Sequence, residues 1–185
     1  MMTEVRAGHR MGGARMDVAD ATRTQRAIRR FADQPIPDEV LEAILDAAHR
    51  APSSMNEQRW AFVLVTGRDR LRELARVGEY ADHIAGAAAA VALVTPEADE
   101  DWRRESIAFD LGQCAQNLML AAWEHGVGSV HAAVYDEELV RALLGYPSGH
   151  RCDYVISLGY PDPPPKAPGR RLPLDTMIHL DRWEE

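Results

Sequence analysis

The apolar side chains of this chain follow a helical period in one stretch and form short continuous runs in others. From 38 to 50 they recur at helical spacing, which gives the stripe Val40, Leu41, Ile44, Leu45 and Ala48. Pro37 suits the first helical position, and Pro52 ends the pattern because proline disfavours helical geometry in the residue before it. The spacing predicts a helix from about 38 to 50.

Two of the continuous runs predict strands that are buried on both faces. They are Ala61 to Thr66 and Ala90 to Val94, both rich in small or β-branched residues. Between them, the leucines and alanines from Arg68 to about Val77 predict a helix. Taken alone, this alternation of strands and helices favours an α/β fold.

The second half of the chain continues the alternation. The longest helix is predicted from Asp101 to His125, with Gly126 as a left-handed stop. A strand from Val130 to Val134, a short helix capped by Asp136 and a last strand from Cys152 to Tyr160 follow. Four polar residues on the long helix could either meet a ligand or hydrogen-bond within the fold: Asp110, Gln113, Gln116 and Asn117.

The composition is that of one globular domain. The 185 residues are 46% apolar and 27% charged, and no run approaches the roughly 20 apolar residues of a membrane span. The net charge of -8 argues against a nucleic-acid-binding surface. Residues 1–18 are predicted to be a flexible arm ahead of a single domain at 19–185. Cys114 and Cys152 lack the spacing of a zinc or redox motif, so we expect reduced core thiols in a cytoplasmic protein.

Polar and charged side chains gather at both ends of the first predicted helix. Arg26, Arg29 and Arg30 precede it, and guanidinium groups bind phosphate in a fork. Beyond its end, a loop carries the short hydroxyl and amide side chains of Ser53, Ser54, Asn56 and Gln58. The intervening helix is roughly 20 Å long at 1.5 Å per residue, so the two groups need not serve the same copy of a ligand. A second subunit could supply one of them.

In order and spacing, these residues resemble the amino-terminal signature of the flavin-dependent nitroreductase family. That signature is an arginine-rich run ending in Phe, a proline-containing turn, a helix, and a loop of the form Ala-Pro-Ser-x-x-Asn-x-Gln-Pro-Trp. Here the corresponding segments are Arg26–Phe31, Pro35–Pro37 and Ala51–Trp60. Further along, Gly126–Ser129 resembles the family's Gly-Leu-Gly-Ser segment, and Gly169–Pro173 resembles its second basic contact. The resemblance covers about residues 22 to 185.

The resemblance implies a fold and a set of cofactor-binding residues. The fold is an α+β sandwich, with a mostly antiparallel central sheet flanked by helices, in an intertwined homodimer that binds FMN at its interface. One chain's arginines would hold the phosphate and ribityl chain, and the partner's loop would close over the ring. The alternative for His131, and the commoner role of a single histidine on a strand, is a hydrogen-bonded core histidine. The implied cofactor-binding residues are Arg26, Ala27, Arg29, Ser53, Ser54, Asn56, Gln58, Gly128, Ser129, His131, Arg170 and Arg171.

The implied function is that of an FMN-dependent oxidoreductase. In a ping-pong cycle, hydride would pass from NADH or NADPH through FMN N5 to a small electron-poor acceptor such as a nitroaromatic or a quinone. The cofactor carries this chemistry, so no catalytic side chain is expected. Relatives with this fold also perform reductive dehalogenation, flavin fragmentation and dehydrogenation. Two other readings stay open: a flavin carrier or regulator without turnover, and an arginine cluster that contacts an acidic protein partner.

The chain departs from the family pattern at two places. Gln25-Arg26-Ala27 stands where the family often has Arg-Arg-Ser, and Arg59 replaces the proline before Trp60. Neither form of glycine-rich phosphate loop is present, so side chains would have to hold a phosphate. The seven histidines lack the spacing of a metal motif, so no metal site is expected.

Overall fold

The computed structural model describes residues 16–165, 167 and 169–183, and these form one four-stranded sheet. Its strands are β1 (Ala61–Val65), β2 (Ala89–Pro96), β3 (Gly128–Ala133) and β4 (His150–Gly159). Their order is β1-β2-β4-β3, and every neighbouring pair is antiparallel. This confirms the antiparallel sheet implied by the family resemblance. The α/β fold favoured by the alternation alone is wrong.

Five α-helices connect and flank the strands of the described chain. They are α1 (Val18–Thr24), α2 (Asp38–His49), α3 (Arg68–Leu74), α4 (Asp101–Glu124) and α5 (Glu137–Leu144). The spans predicted for α2 and α4 are confirmed to within one residue, whereas α3 ends before the predicted Val77. Gly126 and Gly145 both adopt positive φ, +73° and +71°, which confirms the predicted left-handed stop after α4.

The first helix was not predicted. The carboxylate of Asp17 accepts the backbone N–H of Asp20 at 2.7 Å and so caps α1. Residues 1–15 of the predicted arm lie outside the described residues. Its last part, Asp17 and Val18, forms the beginning of this helix.

The sheet lies between two helical layers. On one face, α2 and α4 contribute Ile44 and Leu118 to a core that also contains Leu93 and Ile156 from the central strands. The opposite face is covered by α3 and α5, and its core includes Leu71, Val140, Ala92 and Val155. Because side chains alternate along a strand, β2 and β4 supply both cores.

The strand predictions differ in their outcome because the strands occupy different places in the sheet. β2 lies between β1 and β4, and its residues from Ala89 to Val94 are buried on both faces, as predicted. β1 is at the edge, and its burial prediction is wrong for this chain. Ala61 and Leu64 are exposed, whereas Val65 is buried.

Both cysteines are core residues with free thiols, as predicted. Burial raises the pKa of the Cys114 thiol to about 12, and burial together with the nearby Glu137 carboxylate does the same for Cys152. Neither thiol is therefore an activated nucleophile at neutral pH. Among the described residues, no helix combines the length and apolar character needed to cross a membrane.

Candidate functional site

The arginine-rich segment runs as an extended chain beside the end of the sheet. The backbone N–H of Ile28 donates to the Ser129 carbonyl at 3.0 Å, and Ala27 and Ser129 form a parallel bridge. Further along, the N–H of Ala32 donates to the Tyr160 carbonyl at 2.8 Å. These backbone bonds fix the arginines next to β3 and to the end of β4.

A cavity of about 720 Å³ opens where this segment, α4 and β3 meet. This volume is in the usual range for small-molecule sites, roughly 300 to 1,000 Å³. Its lining joins both ends of the chain, because Arg26 and Arg170 lie on the same cavity although 144 positions separate them (170 − 26). The lining residues are Thr22, Arg23, Gln25, Arg26, Ala27, Gln116, Met119, Ser129, Val130, His131, Gly169, Arg170 and Arg171.

The cavity is cationic and rich in donors. Four guanidinium groups line it, and none of its described lining residues carries a carboxylate. Two of its polar atoms, Arg26 Nε and Ser129 Oγ, are buried without a hydrogen-bond partner within the described residues. Leaving a buried polar atom unpaired costs about 1 to 3 kcal/mol, so both atoms favour a bound group that can pair with them. An anion with several acceptor oxygens fits this set.

FMN is such a group, since its phosphate is anionic and its ribityl chain carries hydroxyls. The arginines and the unpaired Nε suit the phosphate, and the unpaired Ser129 hydroxyl can pair with either part. No helix amino terminus or glycine-rich loop is needed for this arrangement. The residues present therefore fit the phosphorylated end of the cofactor.

Six of the sequence-predicted site residues meet in this cavity. They are Arg26, Ala27, Ser129, His131, Arg170 and Arg171. His131 is exposed, and its ring forms a T-shaped pair with the Tyr154 ring, with 5.9 Å between centroids. The alternative of a buried core histidine is therefore wrong.

Gly128 and Arg29 are placed elsewhere. A Cβ on Gly128 would lie 2.6 Å from the Ile28 side chain, so it is the arginine segment that approaches this glycine closely. Gly128 supports the arginine segment and does not line the cavity. Arg29 is exposed beside the cavity segment, near enough to His83 for its charge to lower the pKa of that histidine.

His83 is a neighbour of this site that sequence reasoning missed. Its Nδ1 lies 2.9 Å from the Ser157 hydroxyl on β4, and the Ser157 hydroxyl donates to the Val130 carbonyl at 3.3 Å. Burial lowers the pKa of His83, the positive charge of Arg29 lowers it further, and the Asp82 carboxylate opposes both. The net effect favours the neutral form of this histidine. In the sequence, a single histidine that follows a predicted helix gives no sign that it contacts Ser157 or lies near the cavity.

The loop with Ser53, Ser54, Asn56 and Gln58 does not line the cavity of its own chain. It is nevertheless ordered by specific bonds. The Ser53 hydroxyl accepts the Gln58 N–H at 2.9 Å, and the Gln58 amide donates to Asn56 Oδ1 at 3.1 Å. Met55, Asn56 and Gln58 adopt positive φ, an uncommon conformation that needs such support.

Asp110 on α4 anchors this loop. Its Oδ2 accepts the Ser54 N–H at 3.0 Å and lies 3.4 Å from Arg59 Nη2. Both side chains of the ion pair are nearly buried, with exposed fractions of 8% for Arg59 and 4% for Asp110. Of the two roles considered for Asp110, a ligand contact or a hydrogen bond within the fold, the structure shows the second. Its partner is the arginine that departs from the family pattern.

Together, the sheet between two helical layers and the cationic cavity at its edge define an α+β protein with a candidate anion-binding site. Comparison with known proteins gives the family. The model of the nitroreductase family matches residues 22–101 and 76–160, and the chain belongs to this family.

Individual relatives span nearly the whole chain. It is 33% identical over 179 residues to a protein of Methanothermobacter thermautotrophicus provisionally named NADH dehydrogenase/NAD(P)H nitroreductase, covering 92% of this chain and 90% of the relative. The structure of the NADPH:FMN oxidoreductase of Vibrio harveyi in complex with NAD+ matches with a TM-score of 0.81 and 28% identity, covering 90% and 78% of the two chains. An FMN-dependent nitroreductase of Clostridium difficile matches with a TM-score of 0.76 and 25% identity, covering 88% and 98%.

Proposed function

We propose that this protein is an FMN-dependent oxidoreductase that takes electrons from NADH or NADPH and passes them to a small electron-poor acceptor, such as a nitroaromatic or a quinone. Family membership supports the class of reaction. The observation that carries the proposal is the convergence of Arg26, Arg170 and Arg171 on one cavity with two unpaired buried polar atoms.

Each part of the cavity has a distinct role in this proposal. Arg26, Arg170 and Arg171 bind the phosphate, and the Ser129 hydroxyl donates to a phosphate or ribityl oxygen. His131, at the exposed end of the lining, contacts the ring. When bound, FMN supplies hydride acceptance and donation at N5, so the side chains need only orient the cofactor and keep water away from it.

The working unit in this proposal is a homodimer. Trp102 and Phe109 on α4 are 62% and 73% exposed, and Leu180 and Trp183 in the carboxy-terminal segment are 82% and 77% exposed. A contiguous patch of such side chains would be typical of an interface. A second copy would cover it and could bring its Ser53–Gln58 loop to the cavity, which has no loop of that kind from its own chain.

The visible spectrum of the purified protein, before and after anaerobic addition of NADH or NADPH, tests the function. We expect flavin absorbance that bleaches with one of the two donors and returns on addition of menadione. Bound flavin that neither donor reduces would instead indicate a carrier or regulator. A protein that stays colourless after incubation with FMN would contradict the proposal. Light scattering during gel filtration tests the dimer, and a monomer mass would contradict it.

A further inference from the structure

A second cavity, of about 400 Å³, lies between residues 104–111 of α4 and the strand ends at 95–98, 133–134 and 151–154. Its volume is also in the usual range for small-molecule sites, roughly 300 to 1,000 Å³. Within the described chain, the second cavity and the cationic cavity have no lining residue in common. The two are therefore separate pockets.

The two cavities are neighbours along the same strand. Side chains alternate along β3, so Ser129, His131 and Ala133 point to one face of the sheet. Ser129 and His131 line the cationic cavity, whereas Ala133 lines the second one. The T-shaped pair of His131 and Tyr154 links their walls, since Tyr154 lines the second cavity. A molecule in the second cavity would therefore lie beside the end of the cationic cavity that His131 forms.

The second cavity has a largely apolar wall with one unpaired polar atom. Apolar side chains, among them Ile107, Leu111 and Ala133, form most of the lining. Thr95 is 1% exposed, and its Oγ1 has no hydrogen-bond partner within the described residues. Thr95 follows the core residue Leu93 by two positions on β2, so alternation turns both side chains toward α4. The buried hydroxyl favours a ligand atom that can pair with it.

The charged side chains of this wall already have partners. Arg151 Nε donates to Asp153 Oδ1 at 2.8 Å, and both residues line the cavity. Arg104 donates to the Ala98 carbonyl at 2.9 Å and pairs with the Asp101 carboxylate. Because these charges are balanced locally and the rest of the wall is mostly apolar, an uncharged ligand fits the second cavity best.

We propose that the second cavity binds the electron acceptor, and that this acceptor is an uncharged planar ring with an acceptor oxygen, such as a quinone. The Thr95 hydroxyl donates a hydrogen bond to that oxygen, which has lone pairs and no proton to give. The apolar side chains pack against the ring, and the neighbouring His131 places it next to the cofactor cavity. This inference rests on the proposed function, which supplies the electrons that the acceptor takes up.

Calorimetric titration of the oxidised holoprotein with menadione, in the absence of an electron donor, tests the inference. Thr95→Val removes the hydroxyl and should weaken menadione binding about 2- to 10-fold, the range of one neutral hydrogen bond. Ala108→Phe, at an exposed position on the wall, should fill the cavity and abolish measurable binding. The matched controls, Thr66→Val and Ala43→Phe, are at exposed positions outside both cavities and should bind menadione as the wild type does.

The FMN dissociation constant and the thermal midpoint of each variant are measured in parallel. Thr95→Val should keep the wild-type FMN affinity, and its midpoint should not fall, because an unpaired buried hydroxyl does not stabilise the fold. Wild-type affinity for menadione in Thr95→Val or Ala108→Phe, a loss of FMN affinity in either, or no menadione binding by the wild type would overturn the inference and leave the proposed function standing. Failure of the wild type to bind FMN would overturn the proposed function, and this inference with it.

Discussion

The Ile28 side chain lies against Gly128 so closely that a Cβ at position 128 would be 2.6 Å from its Cγ1 atom. The two residues join the arginine segment to the first residue of β3, directly beside the bridge between Ala27 and Ser129. A contact this short leaves no room for a methyl group. The geometry of the arginine-lined part of the cavity therefore depends on a glycine that does not line it.

We expect Gly128→Ala to push Ile28, and with it the nearby Arg26, away from β3. Overpacking of this kind costs about 1 to 3 kcal/mol of unfolding free energy, and the displaced Arg26 should weaken FMN binding as well. Urea unfolding and FMN titration measure the two effects. Gly86→Ala is the control, because a Cβ there would meet nothing within 4 Å. If Gly128→Ala and Gly86→Ala had the same unfolding free energy and the same FMN affinity, the arginine segment would not depend on the glycine at position 128.

His83 should make the stability of the fold depend on pH. Its folded-state pKa lies below the ordinary value of 6.5, chiefly because burial disfavours its charged form. The unfolded chain then binds the proton more readily, so this contribution to stability is present above about pH 6.5 and is lost as the pH falls below it. Urea unfolding at pH 7.5 and 5.5 should show a smaller loss for His83→Gln than for the wild type. Parallel losses would argue against a half-buried imidazole that favours its neutral form.

A separate network on α5 should affect stability without affecting the cofactor. The Tyr146 hydroxyl donates to Glu137 Oε1 at 2.7 Å, and Arg141 Nη2 donates to the same oxygen at 3.1 Å. Burial and the Glu137 carboxylate raise the pKa of Tyr146, so the phenol remains a donor throughout the neutral range. The network lies on the sheet face opposite α4.

Tyr146→Phe is expected to lower the unfolding free energy by about 1 to 2 kcal/mol, since the hydrogen bond to a partly exposed carboxylate is lost. The FMN dissociation constant should stay at the wild-type value. Tyr80→Phe, at a residue that is 71% exposed, provides the control for removal of a phenol hydroxyl. A change in FMN affinity without a change in stability would show that α5 communicates with the cavity.

The local structure was predictable where short-range rules decide it. The apolar stripe of α2, the cap at Asp136 and the glycines that end α4 and α5 depend on neighbouring residues only, and these assignments are confirmed. The two-sided burial of β2 followed from its continuous apolar run. A similar apolar run in β1 led to a wrong prediction of two-sided burial. Whether a strand is central or at the edge depends on which strands pair with it, and the run itself does not contain that information.

The site required information that local patterns do not hold. The antiparallel direction of the strands came from the family resemblance, since alternation of strands and helices is compatible with parallel and antiparallel sheets alike, and the order of the strands was not predicted. Arg59 and Asp110 are 51 positions apart, and His83 and Ser157 are 74 apart, so neither pair has a spacing that could have predicted it. The clustering of Arg26, Arg29 and Arg30 marked the amino-terminal arginines, whereas Arg170 and Arg171 were found because the family motif names them.

The ratio of FMN affinity to riboflavin affinity tests the central claim most directly, since the two ligands differ only in the phosphate. The wild-type protein should prefer FMN strongly. Arg26→Ala and Arg170→Ala should each reduce FMN affinity about 10- to 150-fold, the range of a charge-assisted hydrogen bond, while riboflavin affinity stays the same. Arg50→Ala, which removes an exposed pair with Asp46 on α2, should change neither. Equal binding of FMN and riboflavin by the wild type would contradict a phosphate site built from the two ends of the chain.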